Sequence, residues 1–135
     1  MADFSNYAET EIAGWVAGTA DPDVVSAGRF LALFTAVTDA EVGTGTEVST
    51  GGTAYARENL SGQISVTVGA ITNAADIEFP EATASWGTVT HAAIVDSASG
   101  AFNAISTIKA LAASKAIGSG DVFRVKAGDL DFEVQ

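Results

Sequence analysis

A chain of 135 residues without cysteine, with 47% hydrophobic content and six basic against seventeen acidic residues, fits one domain whose core needs no disulfide and offers no thiolate metal site. The formal charge of −11 repels phosphate backbones and anionic bilayers, so nucleic acid and membrane surfaces are not expected as partners. Fourteen glycines, two prolines and an apolar fraction dominated by Ala and Val suit short, close-packed strands rather than a large helical core.

No basic-then-apolar leader and no run of about 18 apolar residues occurs, so neither a secretion signal nor a membrane span is expected, and synthesis in the cytoplasm is implied. Ser5 is placed to cap a helix in which Tyr7, Ala8, Ile12, Trp15 and Val16 recur at three-to-four residue spacing. Glu9 lies early, where the helix dipole favours negative charge, and Gly18 is the expected stop. The acidic loop Thr19-Ala20-Asp21-Pro22-Asp23 then separates this arm from the rest of the chain. Residues 1–28 therefore read as a helical arm with its acidic loop, and 29–135 as a β-domain. Ile12 and Trp15 either cover an open end of that domain or dock on a neighbouring subunit. On the second reading Tyr7, Ile12 and Trp15 are the candidate partner interface.

Arg29 to Val37 is apolar on both faces, as a central strand would be. Thr38 to Gly52, polar and glycine-rich, reads as a long loop. Thr53 to Leu60 reads as a short strand carrying Tyr55 and Arg57, and Gln63 to Val68 alternates with its apolar residues expected inward. A turn is expected at Thr72-Asn73, before a strand from Asp76 to Phe79 that Pro80 stops, since proline has no N–H for a ladder. Trp86, large and apolar with one N–H to satisfy, calls for a core, and Gly87 beside it allows a bend. After it Val89, His91, Ala93 and Val95 alternate with Thr90, Ala92 and Ile94, and Asp96 to Gly100 reads as a hairpin loop. Ala101 to Ala112 alternates, its first half as a strand, and its Ala-rich tail, Lys109 to Lys115, is open to a helix instead. Val122 to Lys126 and Leu130 to Val134 complete seven to nine short strands at turn spacings that indicate a single β-sandwich, jelly-roll-like or otherwise.

Little in this chain speaks for chemistry. The single histidine, His91, lies mid-strand between Val89 and Ala93, as a packed residue does, and no Gly-x-Ser-x-Gly elbow supplies a nucleophile. Gly43-Thr44-Gly45 lacks the Gly-Lys-Ser/Thr that completes a phosphate loop, and Asp39, Glu41 and Glu47 lack the spacing of a calcium-binding hand. Asp129, Asp131 and Glu133 sit two apart, on the solvated face of a strand. No catalytic, cofactor-binding or metal-binding residue is assigned, and the chain is not expected to be an enzyme.

The run Phe79-Pro80-Glu81-Ala82-Thr83-Ala84-Ser85-Trp86-Gly87-Thr88-Val89-Thr90-His91, with the Asp96 to Gly100 turn after it, resembles small tailed-bacteriophage virion proteins, variously tail-fibre, minor tail or head-decoration proteins. Phe30 to Thr35, Gly43 to Ser49, Gly51-Gly52, Tyr55-Ala56-Arg57, Lys115 to Asp121 and Ala127 to Leu130 agree with that family in order, so the resemblance spans roughly Arg29 to Val134. Ala101 to Ala104 departs from the leucine-rich pattern of the family, and the first 28 residues match loosely. The resemblance implies a structural virion protein, first of all a capsid decoration or cement protein that touches the major capsid protein. A tail-fibre or minor tail protein in host attachment is the alternative, and a hydrolase domain a distant third. It also implies self-association, as a homotrimer.

Overall fold

The computed structural model describes residues 3–20 and 28–133. Its helix, α1 (Asn6–Val16), starts where the extended Ser5 accepts the Ala8 N–H at 3.2 Å, and Gly18 at φ +71° turns the chain out of it. The acidic loop expected over 19–23 lies outside the described residues from Asp21 onward. The described residues after it form ten strands: β1 (Phe30–Asp39), β2 (Thr44–Glu47), β3 (Glu58–Asn59), β4 (Ile64–Thr67), β5 (Ala70–Asn73), β6 (Ile77–Glu78), β7 (Gly87–Val95), β8 (Lys109–Ile117), β9 (Arg124–Val125) and β10 (Asp131–Glu133).

All pair antiparallel, in a five-stranded sheet ordered β2-β1-β7-β8 with β3 also on β1, a three-stranded sheet β10-β5-β4 and a two-stranded sheet β6-β9. β1 is central because it is apolar twice over. Leu31 and Leu33 face one side, Phe30, Ala32 and Phe34 the other, and all five are buried. The Leu31 side meets Val89, Ile94 and Ile117 of its own sheet and Ile77, Phe123 and Phe132 from beneath the two smaller sheets, which makes the core of a mainly β sandwich. The Phe34 side is closed by Ile108 and by Phe102, whose ring stands edge-on to Phe34 at 6.2 Å.

Trp86 is buried where the strand that Pro80 stops gives way to β7. Its Nε1–H donates to the Thr53 carbonyl at 2.9 Å, and its ring stands edge-on to Tyr55 at 5.3 Å and to Phe79 at 6.3 Å. Gly87, at φ +78°, makes the bend expected of it.

Several expectations shift by a residue or a segment, each for a physical reason. The alternation of β7 breaks between Val89 and His91, where its register against β8 jumps from Lys115 to Ala110. Val89 consequently joins the core with Ile94, while Ala93 and Val95 face the Phe34 side. Thr38 to Gly52 is not all loop, because β2 pairs with β1 there. A Cβ at Gly45 would lie 2.5 Å from the Ala36 carbonyl oxygen, so the glycine that suggests a loop is what lets the strands approach. The turn expected at Thr72-Asn73 lies at 68–69, and the strand expected from Ala101 is displaced to Lys109. In between, Ile105 and Ser106 both donate to the Ile94 carbonyl, Thr107 to that of Asp3 and Ile108 to that of Ala40, so no single neighbour supplies a ladder. Of the strand expected over Thr53 to Leu60 only β3 forms. Val66 and Val68, expected inward, are exposed.

Replacing Trp86 with alanine removes a large buried side chain that its aromatic neighbours cannot refill, and leaves the Thr53 carbonyl without its donor. A loss of about 3–5 kcal/mol in chemical denaturation is expected; a loss under about 1 kcal/mol would mean that the site collapses or that the indole is not buried.

Candidate interaction surfaces

The residues before α1 lie against the β-body. Phe4 bridges to Ser106, the Ser5 N–H donates to the Ile105 carbonyl at 3.1 Å and the Asn6 N–H to that of Glu41 at 3.0 Å. The Ser5 hydroxyl, fully buried, donates to the Ala104 carbonyl while accepting from Ala8, so one side chain both caps the helix and fixes it to the segment before β8. Asp3 accepts from Lys109 Nζ at 2.9 Å and from the Glu133 N–H at 2.9 Å, which joins the two ends of the described chain. Partial burial pushes its carboxyl up, but the Glu133 N–H and the Lys109 ammonium outweigh that and hold it below its ordinary value.

The three residues expected to meet a partner are spread along the helix rather than gathered. Tyr7 and Ile12 are half-buried and line a shallow cleft of about 130 Å³ with Phe4, Ala8, Arg29 and Ile105. Trp15 is 60% exposed and Val16 74% exposed. The apolar stripe of α1 thus divides: its start packs on the body through Ala8, and its end offers an indole and a valine to solvent.

A polar knot joins Tyr55 and Arg57, which the sequence marks only as residues of an expected strand, to Glu47. Arg57, with a side chain 5% exposed, grips Glu47 through Nε at 2.7 Å and Nη2 at 2.9 Å. It also donates to the carbonyls of Ser97 at 2.8 Å and Gly100 at 2.7 Å, and its guanidinium lies 4.8 Å from the Phe102 ring centre. The Tyr55 hydroxyl donates to Glu47 at 3.0 Å and accepts the Leu33 N–H at 3.0 Å. Burial pushes the Tyr55 phenol far up, the Leu33 N–H opposing and Glu47 reinforcing the shift, and the Glu47 hydrogen bonds raise Arg57 in turn. Only the pairing of aromatic, cation and acid in Glu47, Tyr55 and Arg57 could have signalled this knot, and no periodicity marks it. The knot ties the 96–100 turn to β2 and consumes its own charges.

The remaining candidates for chemistry are separated. Asp39 caps the N–H groups of Glu41 and Val42, each at 3.1 Å, and His91 is half-buried with Nδ1 2.7 Å from the Thr90 hydroxyl. Asp129, Asp131 and Glu133 are exposed, on either side of the buried Phe132, as expected. Among the described residues no group of three or more acids and histidine is placed to share a metal ion.

These positions give two expected outcomes. Because the pKa of Asp3 is depressed in the fold, its contribution is present above its ordinary value near 3.8 and is lost as pH falls through the folded value. Asp3→Asn should therefore melt below the wild type at neutral pH, and the gap should close in acid; a gap that persists in acid would assign the loss to packing. Trp15→Ser should leave the melting curve within about 0.5 kcal/mol, as a surface change does, and should reduce uptake of the protein into virions. Uptake equal to the wild type would remove Trp15 from any interface.

Comparison with known proteins places this arrangement in a family. No match was found among curated proteins. A family model described as Podophage GP4 fiber I protein gp80 matches residues 3–133, a span that takes in α1, the Ser5 and Asp3 seam and all ten strands. The match begins well before Arg29, so the arm belongs to what the family shares. With that span covered, the chain belongs to the podophage fiber protein family of gp80 and is a structural protein of a phage virion.

Proposed function

We infer that this protein is a non-enzymatic component of the tail fibre, held in the particle by contacts with its own copies and with neighbouring virion proteins. The observation that carries this reading is the match of residues 3–133 to a fibre family, which supports the fibre over the capsid-decoration place weighed first. Two features of the fold agree with it. A subunit built into a filament must present more than one contact surface. This chain exposes large apolar side chains in several places, Trp15 and Val16 on α1, Val66 and Val68 on the β4–β5 hairpin, and Val42 and Val122 in loops. Tyr55, the aromatic residue nearest the glycine-rich loops, is buried rather than presented, which favours a structural place within the fibre over direct reading of a receptor. The charges that would serve catalysis are spent in pairs, Arg57 on Glu47, Lys109 on Asp3 and Arg124 on Glu78.

Purified virions test the assignment. Quantitative staining scaled to the major capsid protein should give a few copies per particle, and antibody labelling in the electron microscope should mark the tail. A ratio near one copy per capsid subunit, with label spread over the head, would restore the decoration reading.

A further inference from the structure

We propose that the open edge of the sandwich along β8 is a docking groove for an extended acidic segment of another virion protein, which sets its carboxylates toward Lys115, Arg124 and Lys126 and an apolar side chain toward Leu111. The inference rests on the fibre reading only for the origin of that segment; the groove itself belongs to the folded chain.

The groove exists because the two layers differ in width. The first five residues of β1 are buried on both faces, whereas in β8 every residue from Ala112 to Ala116 is exposed, and among the described residues β7 is its one neighbour in the sheet. Between β8 and the residues of β9 and β10 lie two clefts. One, of about 250 Å³, is lined by Leu111, Leu130 and Phe132; the other, of about 340 Å³, by Leu111, Phe123 and Val125. Leu111 and Ala112 border both, so the clefts run together along the strand.

An extended backbone suits this place. An edge strand presents N–H and C=O groups that no sheet neighbour takes, and an incoming strand satisfies them while its alternate side chains enter pockets. The exposed side chains of β8, chiefly alanine and serine, are small enough to let another backbone approach. The register slip, which leaves Leu111 to Ser114 opposite Thr90 alone, confines ladder pairing to the two ends of β8. The middle of the incoming segment then crosses the clefts, where an apolar side chain gains most by burial.

Charge selects an acidic occupant. Residues 109–126 hold four of the six basic residues and one of the seventeen acids, a balance of +3, while the rest of the chain has two basic residues against sixteen acids, or −14. Lys109 is paired with Asp3 and Arg124 with Glu78, but among the described residues no carboxylate pairs with Lys115 or Lys126. The Lys115 ammonium lies 5.3 Å from the Phe123 ring centre, at the wall of the second cleft. Asp129, where the clefts meet, and Asp131, at the first, oppose an acid there, so the carboxylates belong at the Lys115 end and the apolar anchor by Leu111 and Phe132. The acidic remainder repels such a segment elsewhere and directs it to this strip. The chain's own alternation of acid and apolar residues, Leu130 to Glu133, cannot serve, because Phe132 is buried in its own core. An anionic polysaccharide would meet the cations but leave the apolar clefts unfilled.

Nuclear magnetic resonance of the full-length chain, titrated with a short blocked peptide of alternating Glu and Val, provides the test in solution. Saturable shifts should concentrate in Lys109 to Lys126, weaken as salt is added, and be absent with peptides of alternating Lys and Val or Glu and Ser. Lys115→Glu and Lys126→Glu, folded by circular dichroism, should each weaken binding about tenfold, while Val42→Glu, which adds negative charge outside the groove, should bind as the wild type does. Should Lys115→Glu unfold, Lys126→Glu decides. In virions, a photo-crosslinking residue in place of Ala113 should join this chain to an acidic segment of a different protein. Equal binding of the Lys and Val peptide, no shifts or shifts centred elsewhere, folded charge-reversed variants that bind unchanged, or a crosslink that is missing, that reaches only a second copy or that reaches a polysaccharide would each overturn the proposal. The titration needs no virion, so its failure would leave the tail assignment standing, and label on the head would overturn that assignment without touching the titration.

Discussion

The fold depends on one buried clamp, in which Trp86 and Tyr55 meet edge-on and each ring is also held by its polar end. The indole N–H reaches back to the Thr53 carbonyl, and the phenol takes the Leu33 N–H out of the middle of β1. Phe79 stacks beside Tyr55 at 6.2 Å and meets Phe123 edge-on at 5.6 Å, which carries the contact to the segment of β9. One aromatic series therefore joins the central strand, the 53–55 loop, the strand stopped by Pro80 and the lower layer. Each such contact adds about 0.5–1.5 kcal/mol beyond buried area, and the polar ends fix direction as well as energy.

A second pin works the same way with an amide. Asn73, buried at the end of β5, donates from Nδ2 to the carbonyls of Ala75 and Lys126 at 2.9 and 2.8 Å and accepts the Leu130 N–H at 2.9 Å. Leaving any of these groups dry and unpaired would cost about 1–3 kcal/mol. The small sheets, whose strands are two to four residues long, have little ladder of their own, and polar pins of this kind compensate.

The features legible in the residues were those that depend on local chemistry. The cap at Ser5, the stop at Gly18, the break at Pro80, the bend at Gly87 and the two-faced β1 each come from one side chain or a short period. The features that escaped depend on a neighbour. The slip after Val89 is invisible in β7 because its cause is the segment Leu111 to Ser114 opposite, and Gly45 marks a loop or a close strand equally well until Ala36 is placed. Asn73 has the residue type of a turn, yet its amide serves as a core bridge. The candidate interface was half legible: the spacing of Tyr7, Ile12 and Trp15 identifies a stripe but cannot say that Tyr7 and Ile12 line a cleft against the body while Trp15 stands clear.

The charge of −11 bears on where a chain of this kind could accept a neighbour. At −11, a broad interface would bring many acids together, and exposed ion pairs recover at most about 1 kcal/mol each. The more economical arrangement confines attraction to places without charge and leaves acids everywhere else to prevent unintended contact. The large apolar side chains that are exposed fall at separate points of the chain: Trp15 and Val16 end α1, Val42 follows β1, Val66 and Val68 lie on the β4–β5 hairpin and Val122 precedes β9. For a subunit of a virion fibre, specificity would then come chiefly from where apolar surface is permitted, and the acidic remainder would act to exclude every other pairing.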